Sequence, residues 1–167
     1  MPKTTRNKKC VVIGASHAGV NFAFALRKEG WEGEILLFDS DPGFPYHRPP
    51  LTKSYLTSEE GAKHNLLFPK ENYESDNITL NLGRTISAID RGNKHIILVD
   101  GTIQKYDTLV LATGARPLMP PIDGLEEADN VFPIRTAQDV KNIRGALRAS
   151  ENKSVVIIGG GYIGLET

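Results

Sequence analysis

The sequence contains a single cysteine, Cys10, among its 167 residues. One thiol excludes an internal disulfide and a Cys-x-x-Cys redox pair, and we interpret Cys10 as a buried strand residue. An excess of one charge is also missing, because 20 Lys and Arg residues balance 20 Asp and Glu residues. The overall charge therefore does not favour nucleic acid or an anionic membrane as a partner. Separately, no metal site is predicted.

Long hydrophobic runs are absent as well. The apolar stretches are too short to cross a bilayer, and the basic segment 1–9 is not followed by the apolar core of a signal peptide. These absences predict a soluble, cytoplasmic protein. The length of the chain suits one domain of ordinary size.

The chain is organised around residues 9–41, where a strand, a tight turn, a helix and a second strand follow one another. The apolar run 10–13 predicts the first strand, and Gly14 supplies the sharp turn after it. Apolar residues at helical spacing then predict a helix that packs on a sheet, and Gly19 allows that helix to approach the strand. The run 35–38 predicts the second strand.

This turn is a candidate site for a dinucleotide. Backbone N–H groups at a helix start lack intrahelical partners and carry the positive end of the helix dipole, so they suit a pyrophosphate. Ser16 stands at the middle position of the fingerprint, where glycine is usual, and its hydroxyl can donate to a phosphate. Asp39 ends the second strand, where an acidic residue should accept the ribose hydroxyls, and Ser40 and Asp41 compete for that role. The alternative is a glycine-rich turn in an ordinary α/β unit.

Residues 41–53 contain four prolines and are predicted to form a stiff loop without regular structure. Tyr46, Arg48 and Lys53 lie in this loop, which suits it to hold cations near phosphates or near a reactive ring. The alternative is a proline-rich surface turn with solvated charges.

The middle of the chain predicts short strands joined by turns. Short helices are predicted at 52–56 and 69–76, and an antiparallel meander between about Ile78 and Ile103, with strands at 78–82, 85–89 and 95–99. The apolar run 107–113 predicts a further buried strand, which ends beside Gly114. Further on, Thr136 and Asp139 predict a helix that opens with a weak capping box. Its predicted apolar face carries Val140, Ile143 and Leu147, and its predicted solvated face carries Lys141, Arg144 and Arg148.

A second fingerprint follows near residue 160. The β-branched run 154–158 predicts a strand, and glycine occupies all three fingerprint positions, Gly159, Gly161 and Gly164. A nucleotide-binding unit of this type needs about 30 residues, so only its first strand and turn are present. We interpret the sequence as the front portion of a longer flavoprotein with two nucleotide sites.

Together, the first turn and the motifs at 45–53, 111–117 and 156–166 resemble the FAD-dependent pyridine-nucleotide oxidoreductases. Within that family the sequence is most similar to the ferredoxin, putidaredoxin and rubredoxin reductases, whose relatives include apoptosis-inducing factor. The resemblance implies an α/β fold, with a Rossmann-like FAD-binding domain, an inserted antiparallel β-meander and the start of a Rossmann-like NAD(P)-binding domain. The implied domain boundaries are 1–114 for the first FAD segment, 115–150 for a connector and helix, and 151–167 for the start of the second domain.

The resemblance also implies site residues. The implied FAD-binding residues are Gly14, Ser16, His17, Ala18, Gly19, Asp39, Ser40, Asp41, Arg48, Pro49, Lys53, Ile86, Ala112, Thr113, Gly114 and Arg135. The implied residues of the second nucleotide site are Gly159, Gly161, Tyr162, Ile163, Gly164 and Glu166. Lys53 and Glu166 are implied to be catalytic, lying together at the N5 edge of the flavin. Asp39 departs from the family pattern, because close relatives carry glycine there, so the resemblance leaves the ribose partner open.

The implied activity is hydride transfer from NAD(P)H to FAD, followed by single-electron transfer to an iron–sulfur ferredoxin or a rubredoxin. No cysteine lies near the flavin loop, so the sequence does not resemble a disulfide, peroxide or thioredoxin reductase. A homodimer is compatible with the resemblance. The alternative function is non-catalytic: an FAD-binding fragment, or a redox-sensing interaction flavoprotein related to apoptosis-inducing factor.

Overall fold

The computed structural model describes residues 5–58, 65–152 and 154–167. The strands are β1 (Lys9–Ile13), β2 (Glu34–Asp39), β3 (Ile78–Leu82), β4 (Ile86–Asp90), β5 (His95–Leu98), β6 (Ile103–Lys105) and β7 (Thr108–Leu111). The helices are α1 (His17–Lys28), α2 (Ser54–Thr57), α3 (Lys70–Ser75), α4 (Ala137–Ala149) and α5 (Tyr162–Glu166). No helix in these three stretches combines the length and apolar composition needed to cross a membrane.

The described residues fall into two compact units. Residues 5–46 and 66–114 form the first unit, and residues 47–58, 65, 115–152 and 154–167 form the second. The first unit contains a parallel sheet with the strand order β3-β2-β1-β7 and an antiparallel sheet with the order β4-β5-β6. Val11 is in register with Leu36 of β2 and with Leu109 of β7. The three apolar runs predicted as strands therefore pair in parallel in one sheet.

Alternate residues of the parallel sheet pack on opposite faces. Cys10, Val12, Ile35 and Leu37 form one buried cluster with Val20 and Ala23 of α1 and with Tyr73 and Ile78. Val11, Leu36 and Phe38 form a second cluster with Ile96 and Leu98 of β5. Burial on both faces explains why β1 and β2 are continuous apolar runs. Each fully buried aliphatic side chain contributes roughly 1.5–3 kcal/mol, so these clusters supply much of the stability of the unit.

Residues 78–82 belong to a different sheet from the one predicted. They form β3, which pairs in parallel with β2, and Ile35 is in register with Ile78. The antiparallel meander therefore begins only at Ile86 and ends at Lys105. Alternating apolar residues identify a strand but not its partner, because the side-chain period is the same in parallel and antiparallel sheets.

The second unit is helical in its described part. The capping box of α4 is confirmed, since Thr136 Oγ1 accepts from the N–H of Asp139 and Asp139 Oδ2 accepts from the N–H of Thr136. Val140 is fully buried. Arg144 departs from the predicted solvated face: its guanidinium is half-buried and donates to the carbonyl oxygens of Tyr55 and Ser58, which joins α4 to α2.

Two segments of the second unit differ from the predictions. The proline-rich loop contains a short 3₁₀ helix at Pro49–Thr52, because proline is compatible with the first positions of a helix. Conversely, residues 154–158 form no strand pairing with any described residue, and Val155, Val156, Ile157 and Ile158 are exposed. A strand is defined by hydrogen bonds to a neighbour, so an apolar run alone does not form one.

Candidate functional site

The turn between β1 and α1 can accommodate only glycine at Gly14. Its φ is +106°, and a Cβ atom there would lie 2.2 Å from the carbonyl oxygen of Ala112. The N–H of Gly14 donates to the carbonyl of Phe38, and the N–H of Ala112 donates to that of Ile13. The turn is therefore held at the carboxyl ends of three neighbouring parallel strands.

Gly19 brings α1 against this turn. A Cβ atom at Gly19 would lie 1.8 Å from the carbonyl oxygen of Gly14. Ser16 and His17 are half-exposed and Ala18 is exposed, so the amino end of α1 is accessible from outside. Glycines on the inner side and an accessible helix start on the outer side fit a bound pyrophosphate.

Asp39 binds the backbone of this turn, and Asp41 binds the loop that follows β2. Asp39 Oδ2 accepts a 2.6 Å hydrogen bond from the N–H of Ala15, and Oδ1 accepts from the N–H of Asp41 at 2.9 Å. Asp41 in turn accepts from the N–H of Gly43 and from the hydroxyl of Tyr46. Ser40 is exposed, and its side chain has no partner among the described residues.

The remaining predicted FAD residues of the first unit lie on β4 and after β7. Ile86 is half-buried on β4, where it packs against the second core cluster and faces Leu98 across the meander. Thr113 and Gly114 follow β7 and are exposed, and Gly114 has a φ of +66°. The structure thus places Ala112 and Thr113 beside the turn at Gly14. The side chain of Ile86, in contrast, packs against the second core cluster.

In the second unit, Lys53 and Glu166 lie together. Lys53 Nζ is 3.4 Å from Glu166 Oε1. Thr52, which is 9% exposed, donates from Oγ1 to Glu166 Oε2 at 2.9 Å. The predicted proximity of Lys53 and Glu166 is therefore present, and both oxygens of the carboxylate have partners.

Arg48 and Arg135 are also neighbours in this unit. Arg48 Nη1 donates to the backbone carbonyl of Arg135 at 3.0 Å, and Arg135 Nε donates to that of Ala115. The N–H of Arg135 donates to Asp139 Oδ2. Each guanidinium group is thereby anchored to a backbone carbonyl, and both residues are half-buried. The N–H groups not used in these bonds suit anionic oxygens. Pro49, the other predicted residue of this loop, begins the 3₁₀ helix.

The second fingerprint has the same local geometry as the first. Gly159 has a φ of +116°, and a Cβ at Gly164 would lie 2.1 Å from the carbonyl oxygen of Gly159. Gly161 precedes α5, and Tyr162 and Ile163 at its start are exposed. The turn is therefore formed although residues 154–158 pair with no described strand.

Sequence reasoning missed two residues of these arrangements, Thr52 and Ala15. Thr52 had one local signal, its position directly before Lys53, but nothing in the sequence placed it beside Glu166. Ala15 lies inside the first fingerprint, and only the structure reveals its bond to Asp39. Cys10 is buried in β1, and this burial raises the pKa of its thiol.

The fold and the turn of the first unit define a dinucleotide-binding α/β protein. A family described as pyridine nucleotide-disulphide oxidoreductase matches residues 8–167, and the chain therefore belongs to this family. The putidaredoxin reductase of Pseudomonas putida is 42% identical over 162 residues, covering 96% of this chain and 38% of the relative. The rubredoxin-NAD(+) reductase of Ectopseudomonas oleovorans is 44% identical over 156 residues, covering 93% of this chain and 40% of the relative.

A solved structure gives the same result. The crystal structure of the covalent putidaredoxin reductase-putidaredoxin complex matches 96% of this chain with a TM-score of 0.83 and 40% identity. The match covers 39% of the solved chain. This chain thus spans about two fifths of the length of these relatives.

Proposed function

We propose that the protein is an FAD-dependent NAD(P)H oxidoreductase that passes electrons to a ferredoxin- or rubredoxin-type acceptor. The observation that carries the proposal is the repeated turn. Gly14 with Gly19, and Gly159 with Gly164, form the same close approach of helix to turn in one chain. Two such turns suit a protein that brings two dinucleotides together, one as bound cofactor and one as substrate.

In this proposal the first turn holds the FAD pyrophosphate. The helix start at His17, Ala18 and Gly19 supplies N–H groups and the positive end of the α1 dipole. Arg48, with Arg135 beside it, supplies positive charge for anionic oxygens. When bound, the flavin supplies two-electron and one-electron chemistry.

Lys53 and Glu166 are the proposed catalytic residues. In this proposal Lys53 would stabilise negative charge on the reduced flavin, and Glu166 would orient a nicotinamide amide. The contacts of Glu166 with Lys53 and Thr52 support this role, because they hold the carboxylate in position. Glu166 is the last residue of α5, the short helix that begins at the second turn, so the same segment would position both the NAD(P)H phosphates and this carboxylate. The proposed second nucleotide site comprises Gly159, Gly161, Tyr162, Ile163 and Gly164.

We also propose a domain organisation for the chain and a cellular location for the protein. Residues 1–114 would be the first FAD segment, 115–150 a connector and helix, and 151–167 the start of the NAD(P) unit. A cytoplasmic location fits a sequence with one cysteine. The proposal includes neither a nucleic-acid nor a membrane partner, and a homodimer is compatible with it.

Two measurements test the function. The 167-residue chain should quench the fluorescence of added FAD on binding, and a Gly19→Val variant should not. The full-length gene product should purify with flavin absorbance that NADH or NADPH bleaches anaerobically. Oxidised ferredoxin or rubredoxin, a one-electron acceptor added in at least twofold excess over the reduced flavin, should restore the absorbance. A flavin that neither nucleotide bleaches would favour the non-catalytic alternative, and absence of flavin binding would contradict both functions.

A further inference from the structure

The carboxylate of Asp39 is directed at the phosphate turn. Its Oδ2 lies 2.6 Å from the backbone nitrogen of Ala15, which is buried inside the first fingerprint. Its Oδ1 lies 2.9 Å from the nitrogen of Asp41. Both carboxylate oxygens therefore accept from main-chain N–H groups, one in the turn after β1 and one in the loop after β2.

Asp41 likewise accepts hydrogen bonds with both of its carboxylate oxygens. Its Oδ1 accepts from the N–H of Gly43 at 2.8 Å, and its Oδ2 accepts from the buried Tyr46 hydroxyl at 3.2 Å. The carbonyl of Asp41 also accepts from the N–H of Gly83. Ser40, between the two acidic residues, is exposed, and the described residues offer its hydroxyl no partner.

We infer that Asp39 is a positioning residue that fixes the phosphate turn through Ala15, and that Ser40 makes the contact to the adenosine ribose. The inference rests on the proposed FAD site and deepens it. A hydrogen bond from a main-chain N–H to a charged carboxylate is among the stronger hydrogen bonds of proteins. Loss of this bond frees a segment whose shape the pyrophosphate requires, so Asp39 acts on FAD without contacting it.

A carboxylate oxygen accepts more than one hydrogen bond, so experiment must separate positioning from ribose binding. The first measurement is amide hydrogen exchange of the apo 167-residue chain, comparing Asp39→Ala and Asp39→Asn with Ser40→Ala. Exchange at Ala15 should accelerate about tenfold or more in Asp39→Ala, since a bond to a charged group is lost. Ser40→Ala should leave it unchanged. The core amides of Val20 and Leu37 should keep their exchange rates, whereas general destabilisation would accelerate all of them.

The second measurement compares FAD with an analogue whose adenosine ribose lacks both hydroxyl groups. Asp39→Ala should weaken binding of FAD and of the analogue by the same factor. Ser40→Ala should weaken FAD binding but leave binding of the analogue unchanged. If Asp39→Ala does not fold, Asp39→Asn serves in its place, because it keeps one acceptor oxygen and loses the other.

The outcomes are distinct. Weakening of FAD but not of the analogue by the Asp39 variants, with unchanged exchange at Ala15, would overturn the inference and make Asp39 the ribose ligand. An unmodified chain that binds neither FAD nor the analogue would contradict the proposed function. In that case the exchange rate at Ala15 would still decide whether Asp39 holds the turn.

Discussion

Thr52 Oγ1 donates a 2.9 Å hydrogen bond to Glu166 Oε2, although the two residues are 114 positions apart in the sequence. The hydroxyl group comes from a 3₁₀ helix and the carboxylate from α5, directly after the second glycine-rich turn. Lys53 Nζ approaches the other carboxylate oxygen at 3.4 Å. One carboxylate is thereby fixed by a neutral donor and a charged one.

We expect Thr52→Val in the full-length enzyme to slow flavin reduction by NADH by about threefold to tenfold. Valine has nearly the shape of threonine but cannot donate, and the partial exposure of Glu166 moderates the loss. Stopped-flow absorbance measures the rate. Thr52→Ser should restore it, because serine keeps the hydroxyl, and equal rates in Thr52→Val and the unmodified enzyme would contradict the role.

The glycines of the first turn give a steric prediction. Gly19→Ala should weaken FAD binding by roughly 5-fold to 150-fold, or about 1–3 kcal/mol. The reason is that its Cβ would lie 1.8 Å from the carbonyl oxygen of Gly14, so the helix must shift. Titration of the apo chain with FAD measures the effect. Gly145→Ala is the matched control.

Gly145 lies within α4, and a Cβ there meets no atom within 4 Å. Replacement by alanine should therefore raise the free energy of unfolding by up to about 1 kcal/mol and leave FAD binding unchanged. Normal FAD binding by Gly19→Ala would show that the turn does not need the close approach of α1.

Local patterns predicted the first turn well, because its requirements are set by neighbouring residues. Gly14 must adopt a positive φ and Gly19 must lack a Cβ, and both constraints are visible as glycine spacing. Strand pairing is different. Residues 78–82 alternate as a strand, yet only the tertiary fold makes β2 their parallel partner, and residues 154–158 pair with no described strand.

The same distinction applies to polar side chains. Arg144 has a helical spacing that suits a solvated face, but its guanidinium satisfies carbonyl groups of α2 and the residue after it. Thr52 is next to a predicted catalytic residue, yet its partner is distant in the sequence. Contacts of this kind depend on which segments meet, which composition and periodicity do not reveal.

Arg27 supports a prediction of stability. Its guanidinium donates to the carbonyl oxygens of Asp76 (2.7 Å), Gly33 (3.0 Å), Asn77 (2.9 Å) and Trp31, joining the end of α1 to the turns before β2 and β3. Arg27→Lys should lower the free energy of unfolding by about 2 kcal/mol, because a lysine cannot span these acceptors. Urea denaturation measures this free energy of unfolding.

The neighbouring exposed Lys28 provides the control, and Lys28→Met should change the free energy of unfolding by less than about 0.5 kcal/mol.

The hydrogen bonds of the Asp107 carboxylate lead us to expect that stability depends on pH. The ammonium of Lys8 donates to Oδ1 and the N–H of Lys9 to Oδ2, both at 2.8 Å, and these bonds lower the pKa of the Asp107 carboxyl. A carboxyl whose pKa is lower in the folded than in the unfolded state stabilises the protein above its ordinary pKa, and that contribution disappears as pH falls through the folded value. Asp107→Asn should therefore be less stable than the unmodified chain at neutral pH.

The stability difference should narrow below about pH 4, where carboxyl groups become protonated. Thermal unfolding of both proteins, from neutral pH to below about pH 4, measures this difference in stability. Asp129→Asn is a control at another exposed carboxyl, and it should alter stability little at any pH. A constant difference between Asp107→Asn and the unmodified chain from neutral to acidic pH would show that the carboxylate charge is not responsible.

Lys53 carries the sharpest test of the proposed catalysis. Its ammonium lies 3.4 Å from Glu166 Oε1 and remains partly exposed, so the ion pair itself contributes little to stability. In the full-length enzyme, Lys53→Ala should slow flavin reduction by NADH roughly 10-fold to 100-fold, because positive charge that stabilises the reduced flavin is lost. FAD affinity should change far less, since the phosphate turn is intact. Anaerobic stopped-flow absorbance and FAD titration measure the two effects separately.

Lys70→Ala, which removes an ammonium lying 4.5 Å from the centre of the Phe44 ring, controls for loss of charge elsewhere. Reduction of the Lys53→Ala enzyme at the unmodified rate would exclude Lys53 from catalysis.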